Sequence, residues 1–250
     1  MELDKNFNNN PTILTMPLKN KVKNKIYNSS EPIIIFIHGI HENSKVFAQY
    51  DTYFQTQGYK TCLIDYYSTK YNIKDSVKQV YETINEKIPD ITDFKEVYII
   101  AHSMGAIISY FLINDYKLKP KSSIFLGPPL LGSQLAKFYA RPPFKFLFKA
   151  IYGQAGLELI TKSSLIAKIK QLNFPVGIIA GNRKTWGFNG FLIKGINDGK
   201  VAIEETILKG FLDHIILPVD HHSMLQDKNS MEQCLHFLKN NSFYRKYLRL

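Results

Sequence analysis

The feature that most constrains the fold is an unbroken apolar run, Ile33–Ile37, which is followed at once by His38 and Gly39. Apolar runs of this length without alternation are typical of strands that are buried on both faces of a parallel sheet. Similar runs recur along the chain and alternate with segments of helical periodicity. The predicted strands after the first are Tyr59–Asp65, Val97–Ala101, Ser122–Leu126, Phe174–Ala180 and His214–Val219, and the predicted helices are Ser44–Gln57, Ile73–Ile88, Ala106–Tyr116 and Met231–Lys239. This alternation predicts an α/β fold with a mostly parallel central sheet and helices on both faces.

A catalytic motif follows the third predicted strand, where the chain reads Ala101-His102-Ser103-Met104-Gly105. A sharp turn from strand to helix can present a serine hydroxyl above the edge of a sheet. Such a turn requires very small residues two positions before and two positions after the serine. Ala101 and Gly105 meet this requirement, with alanine where the general G-x-S-x-G pattern has glycine. The alternative is an ordinary helix start after a buried strand.

Three polar points fall at the carboxyl ends of predicted strands, namely His38-Gly39-Ile40, Asp65 and Ser103. Ligands of parallel α/β sheets bind at those ends. Further along the chain Asp198 lies in a loop, and His221 and His222 follow the last predicted strand. A serine hydroxyl needs an imidazole to take its proton and a carboxylate to orient that imidazole. The chain supplies all three groups, with Asp65 as a substitute for the acid.

These motifs together resemble the α/β-hydrolase superfamily, and within it the lipases and serine esterases. The resemblance implies an α/β-hydrolase fold, with Ser103 as nucleophile and Asp198 as the orienting acid. It implies His221 as the base, since the residues after it suit the pattern of related lipases better than those after His222. The oxyanion hole would consist of the backbone N–H groups of Ile40 and Met104. No cofactor and no metal ion are implied.

The βα rhythm is interrupted between Leu130 and Lys170, by a segment rich in aromatic and basic residues. We expect residues 130–170 to form a cap or lid insertion within a single domain that spans residues 31–250. Residues 1–30 are rich in Asn and Lys and are expected to form a lead-in segment. Neither a signal peptide nor a membrane span is apparent in the sequence, so a cytoplasmic location is the default expectation, with export by a non-classical route left open.

The formal charge of +11 would suit an anionic membrane surface, a nucleic acid or an acidic substrate. However, the lysines are spread along the chain and form no arginine-rich block, which argues against nucleic-acid binding. Cys62 and Cys234 have no spacing that suggests a metal site. The expected partner is a small-molecule or lipid ester, with peripheral contact to an anionic membrane as a further possibility.

The sequence therefore favours a serine hydrolase that cleaves carboxylic esters through an acyl-enzyme. Two alternatives remain at this level. The same triad could serve an acyltransferase or a peptidase, and a hydrolase-fold protein can also be a non-catalytic binding module.

Overall fold

The computed structural model describes residues 30–160, 162–184 and 188–245, so almost all of the predicted lead-in segment 1–30 lies outside the described residues. Six strands form one sheet in the order β2-β1-β3-β4-β5-β6, and every neighbouring pair is parallel. The strands are β1 (Ile33–Ile37), β2 (Lys60–Ile64), β3 (Val97–His102), β4 (Ser122–Leu126), β5 (Val176–Gly181) and β6 (Asp213–Leu217). The predicted α/β class with a parallel sheet is confirmed.

Seven α-helices connect or flank these strands in the described residues. They are α1 (Ala48–Thr56), α2 (Ile73–Lys87), α3 (Met104–Asn114), α4 (Gln134–Tyr139), α5 (Lys145–Glu158, broken at Gly153), α6 (Ile203–Thr206) and α7 (Lys228–Asn240). Short 3₁₀ turns occupy Ser44–Phe47, Ile91–Asp93, Ile166–Lys168, Phe188–Phe191 and Ser223–Leu225. Side-chain caps define two of the long helices, since Asn72 accepts from the N–H of Asp75 and Asp227 accepts from the N–H of Ser230.

The sheet separates two hydrophobic cores. Successive strand residues point to opposite faces, so Ile35 packs in one core while Ile34 and Phe36 pack in the other. The first core includes buried residues of α2 and α3, and the second includes those of α1 and α7. Helices therefore cover both faces, which explains why the strands are apolar without alternation.

The strand order changes direction between β1 and β3, because β2 lies on one side of β1 and all later strands lie on the other. Ile37 at the end of β1 is paired with Ala101 near the end of β3. A crevice forms at such a switch point, outside the carboxyl ends of the strands. The loop after β1 and the turn after β3 are thereby brought side by side.

Residues 130–170 carry α4 and α5 between β4 and β5, where a regular crossover would have one helix. Two carboxylates tie this segment to the rest of the molecule. Glu158 accepts a hydrogen bond from the N–H of Ile73 at 2.7 Å, and Glu205 accepts one from the N–H of Gln134 at 2.6 Å. That these residues act as a cap or lid stays a prediction.

Candidate active site

Ser103 occupies the turn between β3 and α3 with φ 52° and ψ −122°. A positive φ is unfavourable for a residue with a side chain, and such strain is commonly found at functional sites. The turn is possible because Gly105 has no side chain, since a Cβ there would lie 2.3 Å from the carbonyl oxygen of Ile37. The next residue, Met104, opens α3, and the first N–H groups of a helix have no partner within it.

Asp198 and His221 are buried and directly hydrogen-bonded, with 2.7 Å between His221 Nδ1 and Asp198 Oδ2. A carboxylate only accepts, so Nδ1 carries the hydrogen and Nε2 is left with a free lone pair. The other oxygen of Asp198 accepts from the N–H groups of Lys200 and Val201, at 2.9 and 2.7 Å. Burial lowers the pKa of His221, although the Asp198 charge opposes this effect. The imidazole is thus held in one tautomer and is neutral at neutral pH.

Ser103, His221 and Ile40 line one cavity of about 90 Å³, whose wall is otherwise formed largely by residues of α4 and α5. The side chains from those two helices are Leu135, Ala136, Tyr139, Phe148 and Tyr152. The structure therefore brings four of the five predicted site residues to one place: Ser103, His221 and Ile40 at the cavity, and Asp198 behind His221. The fifth, Met104, follows Ser103 directly.

The neighbouring histidine, His222, has a different environment. Its side chain is 54% exposed, whereas His221 is 3% exposed. Its Nδ1 lies 3.5 Å from Glu42 Oε1. Partial burial and the charge of Lys200 lower the pKa of His222 to about 4. It makes no hydrogen bond with Asp198 among the described residues, so the geometry separates the two histidines.

The other possible acid from the sequence, Asp65, is engaged elsewhere. Its two carboxylate oxygens accept from the N–H and the hydroxyl of Ser44, at 2.7 and 2.8 Å. It therefore holds the start of the 3₁₀ turn after β1 rather than a histidine.

The sequence did not predict a second buried pair beside Asp198 and His221, formed by Glu42 and His102. One oxygen of Glu42 accepts from the N–H of Gly39 at 2.8 Å and lies 3.0 Å from His102 Nδ1. The other ring nitrogen of His102 lies 2.9 Å from the carbonyl oxygen of His221. Both partners of the ring are acceptors, so the His102 ring donates to at least one of them.

This pair joins the loop after β1 to the backbone of His221. Burial would raise the pKa of Glu42, but His102 and the Gly39 N–H outweigh it and hold that pKa well below its ordinary value. Glu42 is therefore a carboxylate at neutral pH. Nothing in the sequence revealed the pair, because its two members are sixty positions apart and meet only through the switch point of the sheet.

Comparison with protein families gives a match to the model described as "Serine aminopeptidase, S33" over residues 28–171, which is more than half of the chain. The chain belongs to this family of α/β-hydrolases. The matched region contains the loop after β1, Ser103 and most of the segment between β4 and β5. A comparison with curated protein sequences finds no match.

Solved structures of similar fold include several lipases. The mature form of the Bacillus licheniformis lipase BlEst2 is 22% identical, with a TM-score of 0.65 over 86% of this chain and 93% of that one. The phospholipase PlaB from Legionella pneumophila is 14% identical, with a TM-score of 0.69 over 85% of this chain and 60% of that one. A lipase-esterase related protein from Clostridium acetobutylicum is 15% identical, with a TM-score of 0.59 over 85% of this chain and 96% of that one. At these identities the likeness concerns the fold.

Two searches of the described residues found nothing. No group of three or more His, Cys, Asp or Glu side chains in 30–160, 162–184 and 188–245 is arranged to hold a metal ion. In the same ranges, no helix has the length and apolar character needed to cross a bilayer.

Proposed function

We propose that the protein is a serine hydrolase that cleaves carboxylic esters through an acyl-enzyme. One observation carries the proposal: Ser103, on a strained turn, shares a cavity with His221, whose ring is held by Asp198 at 2.7 Å. These are the groups that activate a serine hydroxyl for attack on an acyl carbon.

In the proposed first half-reaction, Ser103 Oγ attacks the ester carbonyl carbon while His221 Nε2 takes its proton. The N–H groups of Ile40 and Met104 donate to the oxyanion, and loss of one such donor in comparable enzymes costs about 3 kcal/mol. The alcohol then leaves with the proton from His221, and the acyl group remains on Ser103. Water repeats these steps, since His221 deprotonates it and Ser103 recovers its hydrogen when the acid departs.

The lining of the cavity supports an apolar acyl group of small size. Leu135, Phe148 and Tyr152 contribute apolar surface, and about 90 Å³ is well below the roughly 150 Å³ of a cavity that accommodates benzene. We therefore propose short-chain acyl esters as substrates, with residues 130–170 as the cap that limits the acyl group.

A second candidate, a serine aminopeptidase, is favoured by the family that the chain matches. The same triad could cleave an amide bond, with an amine as the leaving group. Amino-acid nitroanilides and nitrophenyl esters of increasing chain length, assayed side by side, distinguish the two activities. Faster turnover of the nitroanilides would replace the esterase proposal.

The deciding experiment is labelling with a fluorophosphonate probe, together with turnover of nitrophenyl acetate and butyrate. Ser103→Ala should abolish both signals. Ser76→Ala is the matched control, since Ser76 is a buried serine of α2 that donates to the carbonyl of Asn72 and does not line the cavity. It should keep both signals. Labelling of Ser103→Ala would contradict the proposal, and a folded wild-type protein that neither labels nor turns over would favour a non-catalytic binding module.

A further inference from the structure

Helix α5 exposes large apolar side chains on its outer face. Phe146 is 86% exposed and Leu147 is 64% exposed, and Phe144 and Ile151 are also exposed. Contiguous exposed apolar residues on a protein surface indicate contact with another protein or with a membrane. This face requires an explanation that the proposed active site does not supply.

The side chains on opposite sides of the α5 axis have different surroundings. Phe148 and Tyr152 point inwards and line the cavity. Because a helix turns by about 100° per residue, Phe146 lies on the opposite side. Leu147 flanks Phe146 on one side and Lys149 flanks it on the other. The outer face is therefore an apolar ridge with a basic margin.

The charged side chains of the segment that carries this ridge have a single sign. No Asp or Glu occurs between Leu130 and Leu157, whereas the same stretch contains four cationic residues. All four are exposed: Lys137, Arg141, Lys145 and Lys149. A protein partner would have to be both acidic and apolar at one face, whereas an anionic bilayer offers headgroup charge directly above hydrocarbon.

We propose that the outer face of α5 docks on an anionic lipid surface. Phe146 and Leu147 would enter the boundary between headgroups and acyl chains, while Lys145 and Lys149 contact the anionic headgroups, as in interfacial amphipathic helices. Since the inner face of α5 lines the cavity beside Ser103, docking places that cavity next to the membrane. The proposal concerns where the protein binds, and it stands whether or not the protein is an esterase.

The test is co-sedimentation of the full chain with vesicles made from equal amounts of phosphatidylcholine and phosphatidylglycerol. Binding should weaken as salt is raised, and vesicles of phosphatidylcholine alone should bind poorly. Lys145→Gln with Lys149→Gln should weaken binding by about 30-fold, since each lysine near such a surface contributes about fivefold. Phe146→Ser with Leu147→Ser should weaken it by at least about tenfold.

Matched controls separate this face from the general positive charge of the protein. Lys228→Gln with Lys239→Gln removes two exposed lysines from α7, which covers the opposite face of the sheet from α5, and should leave binding unchanged. Leu212→Ser removes an exposed leucine at a distance from α5 in sequence and should also have no effect. Short-ester turnover and fluorophosphonate labelling of the α5 variants show whether these variants are folded. If the wild-type protein and all variants fail in both assays, the result counts against the esterase proposal, and the vesicle-binding result still stands.

Four outcomes would overturn the docking proposal. The wild-type protein could fail to bind either kind of vesicle, or it could bind both equally well. The α7 variant could lose as much affinity as the α5 lysine variant, which would assign binding to net charge alone. Sedimentation could also show a dimer that Phe146→Ser with Leu147→Ser disrupts, which would assign the face to a second copy of the chain.

Discussion

His221 and His222 are adjacent in the chain, yet only one of them is placed to act as a base. His221 is buried against Asp198, and His222 is half-exposed near Glu42. We expect His221→Gln to lower kcat for nitrophenyl butyrate by at least about 10³-fold, as is usual when a member of such a triad is lost. His222→Gln removes only a half-exposed ring 3.5 Å from Glu42, so kcat should fall by less than about fivefold. The reverse ranking would assign the base to His222.

The pKa of His221 predicts how activity depends on pH. The base must be neutral to take the serine proton, and burial lowers its pKa below the ordinary value of 6.5. The acidic limb of a plot of kcat/KM against pH should therefore have its midpoint below 6.5, so that activity persists in mildly acidic buffer. An acidic limb with its midpoint above 6.5 in the wild-type protein would contradict the assignment of His221 as the base.

Asp198→Asn removes the charge that opposes the lowering of the His221 pKa, and it should reduce kcat by roughly 10⁴-fold.

Glu42 should act as a positioning residue through His102 and the Gly39 N–H. Glu42→Gln removes the buried carboxylate that accepts from the Gly39 N–H and contacts His102 Nδ1, so the free energy of unfolding should fall by about 1–3 kcal/mol. Because Gly39 precedes the proposed oxyanion donor Ile40, kcat should also fall, by about tenfold, with little change in KM. Glu31→Gln is the control, since Glu31 forms only an exposed pair with Lys60. An unchanged kcat in folded Glu42→Gln would limit Glu42 to a structural role.

At the scale of residues, the sequence indicated groups that can be recognised by local pattern and by order along the chain. Ser103 lies within a short motif, and Asp198 and His221 follow it in the usual order of this superfamily. The Glu42–His102 pair has neither property, because it depends on which loops the strand order brings together. The residues that follow favoured His221 over His222, but the difference in burial between the two rings cannot be deduced from the sequence.

At the scale of elements, each predicted strand is present, with bounds that differ by no more than two residues. Helix α7 begins at Lys228 rather than at the predicted Met231, because Asp227 caps it by accepting from the N–H and hydroxyl of Ser230. Apolar periodicity marks only the buried turns of a helix, so it misses a polar first turn that a cap stabilises.

The contact between α3 and β1 leads to a prediction for Gly105. In most helix positions, replacing glycine with alanine stabilises a protein by up to about 1 kcal/mol. Here a Cβ would lie 2.3 Å from the carbonyl oxygen of Ile37 and 2.7 Å from that of His38. Gly105→Ala should therefore destabilise the protein by at least about 2 kcal/mol and reduce fluorophosphonate labelling of Ser103, since β1 and α3 must separate. Urea unfolding measures the first effect, and a stabilised variant would show that the turn can relax.

At the scale of the whole molecule, the parallel sheet could be predicted because long apolar runs alternate with amphipathic segments. The arrangement of residues 130–170 could not be predicted in the same way. Some of their aromatic side chains line the cavity and others are exposed, and amino-acid composition cannot distinguish the two groups. The division depends on how α5 is rotated against the sheet, which is a tertiary property.

The sheet is one layer shared by two cores, so a defect in either core should destabilise the entire molecule. Phe237 of α7 is fully buried, and its ring lies where a side chain at Gly177 of β5 would be. Phe237→Ala should lower the free energy of unfolding by about 3–5 kcal/mol, and the protein should still unfold in one transition, because β5 belongs to both cores. Phe146→Ala makes the same change at an exposed position and should cost less than about 0.5 kcal/mol. Urea unfolding followed by near-UV and far-UV circular dichroism tests this, and two separate transitions in Phe237→Ala would show that the face covered by α7 unfolds independently of the face covered by α3.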